Sequence, residues 1–293
     1  MFSPVTLHWT ATASKRYWEA TPLSPIFLLP GLEILEISCV KIGQLSSVSG
    51  GAGMSAKIHP FTRQTNLKSL TITEGTISAD SLKVILSLPQ ALQRLSYCET
   101  RYHHSDHSDV YATDDMNILN DALAQQSESL THLNISKAAT RTNICHLKLP
   151  DLKALISLRL GSFAEHTIIP WTLSYLIPPV LEVIELIELS HEHLRPDDIF
   201  SALQIDSLLT SAANRGAPFA VNLLGPRFSK KLCNNLLERF NKRVNSQVGP
   251  SNGRFASSEL PFRLQFTQQV VRRFIPPYLY VEREPLGILY NYE

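Results

Sequence analysis

Cysteine is scarce and scattered in this chain. Cys39, Cys98, Cys145 and Cys233 form no Cys-x-x-Cys pair, which excludes a zinc ribbon or a redox dithiol as a written motif. Read singly, they are reduced, mostly buried thiols, because free cysteine packs as a small apolar residue. Glycine is sparse too, at 12 residues against 18 prolines, which suits many short connections and not one long flexible tail. A charge surplus is missing. The 27 Lys plus Arg nearly cancel the 26 Asp plus Glu, for a formal charge of +1. Such a chain has no long-range field to draw in nucleic acid or an anionic membrane, so neither is expected as a partner. No window reaches the roughly 18 uninterrupted apolar residues of a membrane span. Met1 to Thr12 lacks the basic start and apolar run of a secretory signal, so a cytoplasmic or nuclear protein is expected. The Gly-x-x-x-x-Gly-Lys-Ser/Thr loop, the Gly-x-Gly-x-x-Gly turn and the Gly-x-Ser-x-Gly elbow are all absent. No catalytic residue and no cofactor is expected.

What the chain does have is a repeat. The pattern Leu-x-x-Leu-x-(Ile, Leu or Tyr), with one Ile in place of a Leu, occurs six times. The copies are Leu32/Leu35/Ile37, Leu67/Leu70/Ile72, Leu92/Leu95/Tyr97, Leu130/Leu133/Ile135, Leu155/Leu158/Leu160 and Leu181/Ile184/Leu186. Their first positions are 35, 25, 38, 25 and 26 residues apart. Three intervals fall within the roughly 20 to 29 residues of a leucine-rich repeat, and the other two are longer as surface insertions would make them. The last two apolar positions of each copy are two apart, so on a strand both face the interior, while the first leucine enters the core from the preceding turn. The expected fold is α/β: a leucine-rich-repeat solenoid, or horseshoe, with a six-strand parallel β-sheet on the concave face and irregular helices on the convex face.

The returns between copies carry helix signals. Ser78 is an expected cap for a run with Leu82, Ile85 and Leu86 at helical spacing, stopped at Pro89. Thr113 with Asp114 and Asp115 opens a second, bearing Met116, Leu119 and Leu123. Trp171 to Ile177 is expected as a short helical turn, and Pro196 with Asp197 and Asp198 opens another helix. Ser229 to Val244 reads as an amphipathic helix with a basic, solvated outer face. Gly43 to Thr65 and Arg101 to Tyr111 read as inserted loops. Past Leu186 the leucine pattern decays, although Phe219 to Leu223 and Phe262 to Phe266 still alternate like strands. The expected organisation is an N-terminal segment (1–24), the solenoid (25–190) and a C-terminal capping region (191–293), since a solenoid must cover its last apolar edge.

Leu29-Pro30-Gly31-Leu32, Asn66-Leu67-Lys68-Ser69-Leu70, Leu88-Pro89-Gln90-Ala91-Leu92, Ser129-Leu130-Thr131-His132-Leu133 and Pro178-Pro179-Val180-Leu181 combine an irregular leucine repeat with Leu-Pro or Pro-Pro before some of the strands. In this the chain, over roughly residues 25 to 190, resembles the leucine-rich-repeat region of fungal F-box/leucine-rich-repeat proteins. The resemblance implies a substrate-recognition part of a ubiquitin ligase receptor, with a protein substrate on the concave face and a cullin-type ligase adaptor as a further partner. Met1 to Leu28 is too short and too polar for a recognisable F-box, so the adaptor role stands apart from what the repeats support.

If the leucines point inward, the residues between and beside them form the outer face of the sheet. By counting, these are Ile34/Glu36/Ser38, Ser69/Thr71/Thr73, Arg94/Ser96/Cys98, His132/Asn134/Ser136, Ser157/Arg159/Gly161 and Val183/Glu185/Ile187. The expected binding residues are Glu36, Arg94, His132, Asn134, Arg159 and Glu185. Arg94 and Arg159 are the anchors, because a guanidinium forms paired hydrogen bonds with carboxylates and arginine is enriched at interface centres. Glu36 and Glu185 are expected near the two ends. The loop His103-His104-Ser105-Asp106-His107 and the pair His191/His193 carry ligand-type residues without the spacing of a metal site, so no metal is expected. Two other readings use the same observations: a hydrolase whose His, Asp and Ser converge only in space, and a degenerate fragment with no present function.

Overall fold

The computed structural model describes residues 5–10, 18–43, 61–99, 115–137, 146–162, 172–173, 177–187, 219–225, 230–247 and 262–268. In chain order the strands are β1 (Val5–Thr10), β2 (Trp18–Ala20), β3 (Leu32–Ser38), β4 (Val40–Ile42), β5 (Ser69–Ile77), β6 (Arg94–Glu99), β7 (His132–Lys137), β8 (His146–Leu147), β9 (Ser157–Ser162), β10 (Thr172–Leu173), β11 (Val183–Ile187), β12 (Phe219–Gly225) and β13 (Phe262–Gln268). The helices are α1 (Pro25–Leu28), α2 (Ala79–Ser87), α3 (Met116–Ala124) and α4 (Lys230–Gln247). The molecule is α/β, and its main sheet has 11 strands.

Each leucine copy supplies one strand, and sequence order is spatial order. The main line runs β1-β3-β5-β6-β7-β9-β11-β12-β13, all parallel. Six strands were expected in line and nine are found: β1 precedes the first copy, and β12 and β13 continue past the last. The repeat register is kept across every step. Leu35, Leu70, Leu95, Leu133, Leu158, Ile184 and Val221 pair in one unbroken row, and all are buried. Ile37, Ile72, Tyr97, Ile135 and Leu160 form a second buried row two residues on. The leading leucines 32, 67, 92, 130, 155 and 181 are buried as well. With side chains alternating along a strand, a slip of one residue would expose the whole set, so burial fixes the pairing.

The helices close the other side of that core. Leu82, Ile85 and Leu86 of α2 and Leu119 and Leu123 of α3 belong to the same buried cluster as the strand leucines. Ser78 caps α2, its Oγ accepting the Ser81 N–H at 3.2 Å. Asp115 caps α3, its Oδ1 accepting the Asn117 and Ile118 N–H groups at 3.1 Å each. Each such cap satisfies donors that the first helical turn leaves open. Within the turn expected from Trp171 to Ile177, Thr172 and Leu173 are instead extended and pair with His146 and Leu147 in a two-strand ladder with the preceding return segment. The basic helix is present as α4, with Leu236 and Phe240 buried and Lys231 and Lys242 exposed. The expected helix from Pro196 lies outside the described residues.

A buried glutamine ties two returns together. Gln126, directly after α3, is 2 % exposed. Its Oε1 accepts from the Leu92 N–H at 3.0 Å and the Ser129 hydroxyl at 2.9 Å. Its Nε2 donates to the Leu86 carbonyl at 2.8 Å and the Pro89 carbonyl at 3.1 Å. The turn after α2 must reverse the chain beneath α3, where its backbone groups cannot reach water, and Gln126 answers three of them.

The far ends of β3 and β5 share a bend. Cys39 and Glu74 follow the paired residues Ser38 and Thr73 and both hold positive φ, 56° and 53°. This left-handed step is costly for residues with a Cβ. It redirects the chain into a second parallel row, β2-β4-β5, with the Cys39 N–H donating to the Thr73 carbonyl and the Trp18 N–H to the Cys39 carbonyl, both at 2.9 Å. Gly75 follows because a Cβ there would lie 2.6 Å from Ile72 Cγ2. Burial, reinforced by the Glu74 carboxylate, pushes the Cys39 thiol up to about 12. It therefore stays protonated and unreactive at neutral pH. Cys98, counted on the outer face, and Cys233 are partly exposed. Alkylation of the folded protein with iodoacetamide, read by peptide mass mapping, should modify these two and spare Cys39. Equal labelling of all three would contradict the bend as described.

Candidate functional site

The outer face is the inverse of the core, so its residues are set by the same register. Glu36, Thr71, Ser96, Asn134, Arg159 and Glu185 occupy one level on six adjacent strands, each paired with the next. The level above, toward the strand starts, is Ile34, Ser69, Arg94, His132, Ser157 and Val183. All six expected binding residues thus share one face, within two neighbouring levels. Glu36 and Glu185 lie one and two strands in from its described ends. His8 on β1 pairs with Glu36, and Asn222 and Gln265 on β12 and β13 extend the level beyond Glu185. Counting from leucines missed these positions, because β1, β12 and β13 lack the full leucine template and carry only alternation.

Neighbouring side chains on this face interact across the strands. Asn134 Nδ2 donates to Ser96 Oγ at 2.9 Å. Arg159 Nε lies 3.6 Å from Glu185 Oε2, an ion pair too long for a hydrogen bond, and both side chains are about one-third exposed (31 % and 27 %). Asn134 Oδ1 and Arg159 Nε, on paired residues, are buried atoms with no hydrogen-bond partner among the described residues. Ser136 is buried at the next level, and Gly161 opposite it leaves room: a Cβ there would sit 2.8 Å from the Ser136 Oγ.

The Thr131 hydroxyl lies 2.9 Å from the Gln93 carbonyl oxygen and 2.9 Å from His132 Nδ1, which ties the imidazole to the turn entering β7. Burial first, and the neighbouring Arg94 charge second, hold the His132 pKa below the ordinary 6.5. The fold therefore favours the neutral ring, and this contribution to stability is lost as pH falls from the ordinary value through the lowered one. Titrating the imidazole resonances by NMR should show Arg94→Gln raising the His132 pKa. An unchanged value would remove Arg94 as a cause.

The arrangement places polar groups one per strand, at steps of about 4.8 Å. Among the described residues no group of three His, Cys, Asp or Glu is placed to hold a metal ion. His103 to His107 and His191 to His193 lie outside the described residues, as do the inserted stretches 44–60 and 100–114. No helix of the described residues is long and apolar enough to cross a membrane. No protein-family model, curated protein or solved structure matches the chain.

Proposed function

We propose that the chain is a leucine-rich-repeat solenoid acting as a non-enzymatic protein-binding scaffold, with its partner held on the outer face of the parallel sheet. The observation that carries this reading is the unbroken register. One sequence template places apolar residues inward and a continuous polar ladder outward on successive strands. A ladder extending over many strands offers a broad surface suited to another polypeptide, where a small substrate would need a concave pocket with converging groups. The specific form we favour, from the resemblance over residues 25 to 190, is the substrate-recognition part of an F-box-type ubiquitin ligase receptor.

The test is affinity purification of the tagged chain from its host beside an Arg94→Glu/Thr71→Arg variant, with co-purifying proteins identified by mass spectrometry. Both sites are on the outer face, so circular dichroism and melting should not change. Arg159 is left intact, because reversing it would strand the Glu185 carboxylate. Expected is a specific set of proteins recovered by the native chain and lost by the variant. An identical set from both would remove the sheet face as the binding surface. A cullin adaptor in the set would extend the scaffold to the ligase role.

A further inference from the structure

We infer that the central strands of the outer face receive an acidic peptide segment, with Arg94 as the anchor for one of its carboxylates. This rests on the scaffold reading and names the chemistry of the partner. Of the strands at the middle of the face, β5, β6, β7 and β9, none places a carboxylate at an outward position of the three levels, whereas Arg94, His132 and Arg159 all lie there. Acidic residues at these levels occur on the flanking strands, as Glu36 and Glu185. The two carboxylates that β5 and β6 do carry, Glu74 and Glu99, are buried toward the strand ends, and Glu99 lies about 16 Å along β6 from Arg94.

The charges of the centre are unequal in their commitments. Arg159 is balanced by Glu185. Arg94 is exposed and has no ion pair among the described residues. On the neighbouring rim, Lys68 is already paired with Glu33 at 3.0 Å. Arg94 is therefore the cation left with coordination to offer, and its planar fork suits a carboxylate. The Ser69 and Ser157 hydroxyls lie on the same level, one strand to one side and two to the other, and add donors without charge. The turns entering β6 and β7, residues 88–93 and 127–131, are short and fully described. A basic or strongly cationic segment would meet Arg94 with no nearby counter-charge, which disfavours it.

The experiment is selection of the full chain against a displayed library of random dodecapeptides, followed by fluorescence anisotropy with a synthesised selected peptide. Expected is enrichment of Asp and Glu in the selected pool, and binding weakened about ten-fold or more by Arg94→Glu. Lys231→Glu, an equal charge change on the exposed face of α4, should leave it unaltered. Selected peptides without acidic enrichment, but lost on Thr71→Arg, would overturn the acidic-segment inference and leave the scaffold reading standing. Selected peptides indifferent to every substitution on the face, or no selected peptides at all, would overturn both. Binding of a single-stranded oligonucleotide in place of peptides would overturn the inference in favour of a phosphate ligand.

Discussion

Replacing Gln126 by Leu should lower the unfolding free energy by about 3 to 5 kcal/mol, as read by urea denaturation. Leucine is an apolar side chain of similar bulk that branches one carbon earlier, so most of the loss is not one of volume. It comes from the Leu92 N–H and the Leu86 and Pro89 carbonyls, which lose their bonds to Gln126 where water cannot replace them. Each orphaned buried group costs on the order of 1 to 3 kcal/mol, and not all of the three will be stranded once the turn relaxes. Gln64→Leu is the control: Gln64 is exposed, its Nε2 reaches only the Thr62 carbonyl at 3.5 Å, and a change within about 0.5 kcal/mol is expected. If both variants unfold at the same urea concentration, Gln126 does not tie the returns together.

Leu133→Asp should be more damaging still. Leu133 is 1 % exposed on β7, paired with Leu95 on one side and Leu158 on the other, in the middle of the core row. Removing it forfeits roughly 2 to 3 kcal/mol of apolar burial, and the carboxylate arrives with no partner, at a cost of several more. The sum is comparable to the whole stability of a typical domain. The expected result is loss of soluble, cooperatively melting protein. Asn134→Asp, one residue on and outward, should fold normally. A soluble Leu133→Asp protein together with an unfolded Asn134→Asp protein would mean that inside and outside are exchanged.

The parts of this fold that could be read in advance are those in which one residue's role follows from its neighbours in sequence. The spacing of Leu130, Leu133 and Ile135 announces a strand and its inner face, and Ser78 announces a helix start through its own hydroxyl. The six binding candidates came from the same counting and lie on one face because a strand has only two. What could not be read depends on partners distant in sequence. Gln126 looks like any polar residue after a helix until the α2 turn is placed beside it. The Cys39 and Glu74 bends are invisible because neither is glycine, and the left-handed backbone is held by the second ladder and not by residue preference. β1 was missed because Val5, Leu7 and Trp9 alternate without the upstream leucine, and the short β8-β10 ladder replaced an expected helical turn through pairing with another return.

The central claim, that one uninterrupted ladder in repeat register builds the binding face, is tested most directly by spin-label distances. In a variant with the native cysteines replaced, one label at Glu36 would be paired in turn with labels at Arg159, Glu185 and Asn222. These positions are four, five and six strands away along the same level. Backbone separations of about 19, 24 and 29 Å are expected at about 4.8 Å per strand, shortened slightly by curvature. A steady increase from 159 through 185 to 222 is the predicted result. A distance to position 222 shorter than that to 159 would contradict it, because β12 would then lie outside the ladder.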